Sequence, residues 1–522
     1  MKKTFFIMIF IFWIFSLFSN EVSIEWNKPM LTSDSNTSFL FEQSETIESW
    51  KQYDNVENNF YCAVNSWQNF KQAWKMFLTY REDDHNFLQY KTKNSFKTVK
   101  QKIVNSGLSS SLQSPGIPRN SAFSFELYSG LDFISDTEDN YYFFYYGTYF
   151  SGSVNNRLRF YSNWWKGHFS LDQDYAHTSY LIDSWTQSNS DSTETYLDNI
   201  TGRLQYSIAP WWDLSIGRSK YEIGSNIGGS IILSDECNDY GYLSTKFEFK
   251  DFSISMLHAT LVADSTNDGK KKFPNKYLAT HKLDWHPSDR FNYFLGEHVM
   301  YGDRSIDANY LIPIGFWRIT EHNLSDRDNV LIYTGFNWIP KDQQLVYSNF
   351  IIDELSVGEL LNNWWGNKYA VQTGYSYDLK KNRRISIEFT AIRPWLYTHK
   401  YIHTKFSQDD RSLGFPDGSN LIQFASEFEY SILDNLQINL HGSFTRQGSV
   451  GNDFSINYET RDKELDEDTH WLEGEITNNI LGRFVCNWSP LAHHRIKLAF
   501  IIQKTADDDW SKEVTIGYQA RY

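Results

Sequence analysis

The stretch Glu513-Val514-Thr515-Ile516-Gly517-Tyr518-Gln519-Ala520-Arg521-Tyr522 puts apolar side chains on alternate positions, with Thr515, Gln519 and Arg521 between them. A period of two is that of a β-strand, whose successive side chains point to opposite faces. One face is greasy, the other wet, and the run ends on an aromatic residue. It reads as the closing strand of a transmembrane β-barrel, apolar toward lipid and polar toward a lumen.

The same alternation recurs along most of the chain. Strands are expected at 122–133, 141–150, 156–165, 200–208, 211–218, 240–249, 252–262, 277–285, 290–300, 329–338, 343–350, 368–379, 384–392, 421–432, 436–446, 472–488, 495–504 and 512–522. That is about 18 antiparallel strands of barrel length. Tight turns such as 250–251, 287–289 and 433–435 alternate with long connections at 166–199, 219–239, 301–328, 351–367, 393–420 and 447–471. Short turns on one side and long loops on the other is the asymmetry of an outer-membrane barrel, the long loops facing outward. Within single strands the faces agree. Ile385, Ile387 and Phe389 oppose Ser386, Glu388 and Thr390, and Leu436, Ile438, Leu440 and Phe444 oppose Gln437, Asn439, His441 and Thr445.

Composition fits this reading. Hydrophobic residues make up 41% of the 522, too few for a bundle of apolar helices, yet 17% are aromatic, including 19 Trp and 33 Tyr. Mean hydropathy is −0.53. Barrels in lipid use aromatic residues as girdles at both interfaces. Past the N-terminus no run is long enough to cross a bilayer as a helix. A net charge of −15 disfavours generic nucleic-acid binding. The three cysteines, Cys62, Cys237 and Cys486, are far apart, with no metal-ligand or disulfide-framework spacing.

The N-terminus divides into two further parts. Met1-Lys2-Lys3 followed by an apolar run from Phe5 to Phe18 has the form of a secretory signal, so residues 1–20 are expected to be a signal peptide. Residues 45–105 carry Trp50, Tyr53, Phe60, Val64, Trp67, Phe70 and Trp74 at steps of three and four, a helical period. With a Ser/Pro/Gly-rich linker, residues 21–118 are expected to form a small α-helical periplasmic segment ahead of a barrel at 119–522.

The most distinctive local string is Ile392-Arg393-Pro394-Trp395-Leu396-Tyr397-Thr398-His399, followed by Tyr401 and His403. Aromatic faces stack on the C–H faces of sugars, and Arg binds carboxylates in bidentate fashion. The string therefore suits a glycan site, and equally an interface girdle with a capping Arg. His399 and His403 lack a third metal ligand, so no metal is expected. Glu297–His298 and His281 with Asp284 have the form of acid–base pairs but no attached nucleophile, and are expected to line the lumen. The run Gly224-Ser225-Asn226-Ile227-Gly228-Gly229 looks like a phosphate cradle but opens no βαβ unit.

At the Arg393–His399 string the chain resembles the Wzi-type capsule assembly family of Gram-negative outer membranes. Further pieces occur in the same order: Gly217–Arg218 with Gly224, Asn226 to Ser234–Asp235, Tyr277-Leu278-Ala279 with His281, Tyr310 with Pro313, and Gly366-Asn367-Lys368. The 217–235 loop departs from the pattern in lacking a Trp-Gly-Pro run. The resemblance covers roughly residues 122–522. It implies an eighteen-stranded barrel with a helical bundle, in the cell outer membrane, that attaches capsular polysaccharide without catalysis or cofactor. The partners it implies are surface polysaccharide, outer-membrane lipid and, as a candidate, the capsule export machinery. The polysaccharide-binding residues expected are Arg218, Asn226, Asp235, Lys368, Arg393, Trp395, Tyr397, His399 and His403. The competing expectation is a porin or substrate-specific channel. A barrel hydrolase would need a lipid-side Ser–His pair, and no such string occurs.

Overall fold

The computed structural model describes residues 122–521, apart from 138–139, 156, 171–185, 191–194, 265–273, 355–358, 360–362, 380–381, 434, 492 and 506–508. The expected signal peptide, helical segment and linker, Cys62 and Tyr522 lie outside the described residues.

Eighteen strands build the wall. They are β1 Ala122–Ser135, β2 Asn140–Val154, β3 Leu158–Phe169, β4 Thr195–Ala209, β5 Trp212–Ser219, β6 Tyr240–Glu248, β7 Phe252–Leu261, β8 Lys276–Ser288 and β9 Phe291–Gly302. Then follow β10 Asn329–Trp338, β11 Gln344–Glu354, β12 Lys368–Leu379, β13 Arg383–Ile392, β14 Leu421–Leu433, β15 Leu436–Gly448, β16 Ile476–Leu491, β17 His494–Thr505 and β18 Ser511–Arg521. Each pairs antiparallel with its sequence neighbour. The circle closes where Tyr128 of β1 faces Arg521 of β18 and Ser135 faces Val514. Closure satisfies every ladder and leaves no edge, which is what allows a sheet to stand in hydrocarbon. A short strand, Thr186–Ser190, adds to β4 above the wall.

The two faces of this wall are inverted relative to a water-soluble barrel. Phe125, Ile216, Ile387, Phe424 and Ile516 are all more than half exposed, whereas Thr515 is 0% and Glu388 4% exposed. Exposed aromatic residues collect beside the short turns. Trp211, Phe249, Phe252, Trp285, Tyr293, Trp338 and Trp488 form a girdle there. A closed barrel with an apolar exterior and an aromatic belt is an outer-membrane protein. Among the described residues no helix is long and apolar enough to cross a membrane.

The described parts of the long connections take different paths. Residues 220–239 and 393–420 turn into the lumen and form its core. Residues 303–328, with the helix α1 Trp317–Asn323, fold down the outside of the wall. Cys237 and Cys486 are unpaired thiols.

Candidate functional site

The lumen is filled by a plug. Tyr221, Ile223, Ile231, Ile232 and Leu233 of the 220–239 loop pack with Leu396, Tyr397, Phe406, Leu413 and Phe415 of the 393–420 loop, each fully buried. Tyr397 donates its O–H to the Ile231 carbonyl at 2.7 Å, and the Ser234 N–H donates to the Leu413 carbonyl at 2.7 Å, so the two loops are one unit.

The wall grips that unit through polar side chains. Ser225 donates to Asn337 of β10 at 2.8 Å, Asn349 of β11 donates to the Ser225 carbonyl at 2.8 Å, and Gln372 of β12 donates to the Gly229 carbonyl at 2.8 Å. Glu388 of β13 accepts from the backbone N–H groups of Ile227 and Gly228 and from the Tyr347 hydroxyl. The run that looks like a phosphate cradle does hold an acidic group, and that group is the wall's own Glu388 carboxyl. Gly229 is required here. Its φ is +104°, and a Cβ would lie 2.5 Å from Pro416.

Around the long-loop rim lies a second feature, a row of rings interleaved with cations. Trp364 and Trp365 meet edge to face at 6.2 Å, Trp365 meets Tyr458 at 5.5 Å, and Tyr458 meets His399 at 5.7 Å. His399 lies 6.5 Å from Tyr401, which stacks on His403 at 5.4 Å with the rings 3° from parallel. The Arg461 guanidinium sits 3.3 Å above Trp365 and is held there by two 2.8 Å bonds to Asp466. Lys368 lies 4.9 Å from the Tyr458 ring centre and pairs with Asp353 and Glu354 at 3.2 and 3.4 Å. Arg393 donates to the carbonyls of Asn367 and Trp364 and lies over Trp471 at 5.6 Å. Cations over ring faces hold those faces in place.

The expected site residues divide between these two features. Lys368, Arg393, His399 and His403 come together at the rim. Trp395 and Tyr397 do not present their ring faces: they are 5% and 0% exposed and belong to the plug. Both have positive φ, +67° and +73°, a conformation that costs a bulky residue of order 1–3 kcal/mol and persists only where packing over-determines it. Asn226 closes the plug turn, donating to Glu222 at 2.6 Å and accepting from the Gly229 N–H at 3.1 Å. Asp235 is buried at the end of the same loop. Arg218 shares the outward row of β5 with Leu214 and Ile216.

Trp364, Trp365, Tyr458, Arg461 and Trp471 are absent from the expected set. The Trp364–Trp365 doublet just before Gly366-Asn367-Lys368 was the one signal for them. Tyr458 and Arg461 come from the 449–475 connection, which nothing local ties to β12.

The expected acid–base pairs separate. Asp284 and His298 face the lumen, Asp284 pairing with Lys282 at 3.1 Å and His298 stacking on Tyr333 at 4.4 Å. His281 and Glu297 instead face outward and pair with each other at 3.1 Å. Alternation along β8 and β9 puts sequence neighbours on opposite sides of the wall. The sequence also carries a basic run, Lys270-Lys271-Lys272, which lies outside the described residues.

No protein-family model matches the chain. No curated protein sequence matches it either. Among solved structures it is similar to Wzi of Escherichia coli, described as an outer-membrane protein involved in group 1 capsule assembly and a carbohydrate-binding β-barrel. That likeness is at 11% identity over 80% of this chain and 88% of that one, with a TM-score of 0.49. It is also similar to OprD of Pseudomonas aeruginosa, at 9% identity, 78% and 97% coverage and a TM-score of 0.44. For OprE of the same organism the values are 6% identity, 78% and 99% coverage and a TM-score of 0.46.

Proposed function

We propose that this outer-membrane barrel is a non-enzymatic receptor that binds surface polysaccharide at its outer rim and holds it at the cell surface. The observation that carries the reading is the rim row from Trp364 to His403, six rings threaded by Lys368, Arg461 and Arg393. Ring faces suit the C–H faces of pyranoses, and the cations over them, each already paired with the protein's own acceptors, hold those faces in place. The plug supports the rim from beneath, since Tyr397, Thr398 and His399 run directly from one into the other. Two loops crossing the lumen favour a closed barrel over the channel reading.

The test is binding of an acidic polysaccharide, a uronate polymer, to the detergent-purified protein by calorimetry. Trp365→Ala and Tyr458→Ala should each weaken binding about tenfold, ~1.4 kcal/mol. Undiminished binding by both variants, with the barrel folded, removes the rim as the site.

A further inference from the structure

The segment 303–328 differs from the plug loops 220–239 and 393–420 in lying against the outward face of the barrel. Its Tyr310 and Trp317 pack on Met256, Tyr277, Ala279, Val299, Tyr301 and Val330, which belong to the outward rows of β7 to β10. Beneath it sit polar groups that the wall would otherwise expose. Glu297 pairs with His281 and accepts from the backbone N–H groups of Trp317 at 2.7 Å and Arg318 at 3.3 Å, while the Trp317 indole stacks on His281 at 4.1 Å. His258, also outward, bonds Tyr301 at 2.6 Å.

Register gives the depth of this strap. Glu297 lies five residues in from Gly302, the long-loop end of β9, which is roughly 16 Å along a strand rising ~3.3 Å per residue. On the other side, Glu297 is only a few residues from Tyr293 of the aromatic girdle. The start of α1 is therefore docked at a level where neighbouring wall residues such as Leu295 and Ile332 face lipid. An ionised or polar group on that face costs up to a few kcal/mol, and the strap removes that exposure.

The strap's own outer surface is apolar where it is deepest. Leu311, Ile312, Ile314, Phe316 and Ile319 are 38%, 54%, 73%, 69% and 61% exposed. One charged side chain starts at that depth: Arg318, whose N–H is on Glu297, sends its guanidinium along the helix to Glu321 at 2.7 Å and Asp326 at 3.3 Å. Arg304, nearer the rim, pairs with Asp328 beside Tyr310. An apolar surface whose one deep cation is paired and reaches toward the rim suits a segment lying in a lipid leaflet.

We infer that the strap 303–328 is seated in the outer leaflet, its apolar tip from Leu311 to Ile319 bathed in acyl chains. It replaces the wall as the lipid-facing surface over β7–β10. The inferred occupant is acyl chain, because the patch is continuous with the lipid-facing rows of the barrel. The inference does not rest on glycan binding.

The experiment uses the full chain in phosphatidylcholine vesicles with a nitroxide at Ile314→Cys, in a Cys62→Ser, Cys486→Ser background that leaves the fully buried Cys237. Leu295→Cys serves as the wall reference and Arg327→Cys as the rim reference. The label at 314 should collide with oxygen in preference to a water-soluble nickel chelate, as at 295 and opposite to 327. Ile319→Cys repeats the reading at a second position. Trp317→Ala should release the strap and shift the 314 label toward the 327 values. A label at 314 that matches 327 in the unaltered strap places the strap in water and overturns the inference. A label shielded from both reagents means a second protein copy covers the patch, and overturns it equally.

Discussion

Glu388 and Gly228 are joined across the lumen. The carboxylate on β13 accepts the Gly228 backbone N–H at 3.1 Å and the adjacent Ile227 N–H at 3.0 Å, although the glycine enters from a loop between β5 and β6. One buried carboxyl group thus fastens the plug to the far wall, with Tyr347 adding a third donor at 2.7 Å.

The plug should loosen when that carboxyl is removed. A typical hydrogen bond is worth about 0.5–1.5 kcal/mol net, and Glu388→Ala leaves three donors without their acceptor, the buried Tyr347 hydroxyl among them. The expected outcome in planar bilayers is a nearly silent unaltered protein and a variant that flickers to a conducting state. Silence in both would mean the plug is held by its apolar packing alone.

The exterior should refuse charge. Ile387 is 55% exposed and lies mid-strand, one residue from Glu388 but on the opposite face. Ile387→Arg should cost about 2–4 kcal/mol of unfolding free energy in lipid, read from denaturant titration in vesicles. A variant as stable as the parent would show that this face does not meet hydrocarbon.

Closure of the 393–420 loop should weaken in acid. Burial, aided by nearby Lys368, Lys400 and His403, pushes the His399 imidazole down from 6.5 to about 3. The opened loop therefore binds a proton that the closed loop resists, and closure loses stability as pH falls from about 6.5 toward 3. Above that window there is no further gain. Protease cleavage within 393–420 should accelerate across it, and His399→Gln should flatten that part of the slope. Equal slopes in both proteins would reject His399 as the source.

Strand number, closure and face assignment were legible in the sequence, because in a membrane barrel each depends on a local rule. Period-two alternation marks a strand, and an alternation of short and long connections orients it. Ile385 to Thr390 shows this directly, each residue lying on the side its polarity required.

The site was legible only in part. The Arg393–His399 string stands out by composition, yet composition does not say whether a ring faces solvent or a second loop. Trp395 and Tyr397 face the 220–239 and 449–475 connections, while His399, next in line, reaches the rim. His281 and Glu297 were legible as a polar pair but not as partners, nor as facing lipid.

Local pattern suffices for the cylinder: eighteen alternating strands can bury their backbone groups only by closing. The paths of the long connections, inward as a plug, upward as a rim or outward as a strap, come from packing between distant parts of the chain. The difference is one of range. Alternation acts between adjacent residues, whereas Glu388 meets Gly228 across 160 positions of chain, and no local pattern encodes that meeting.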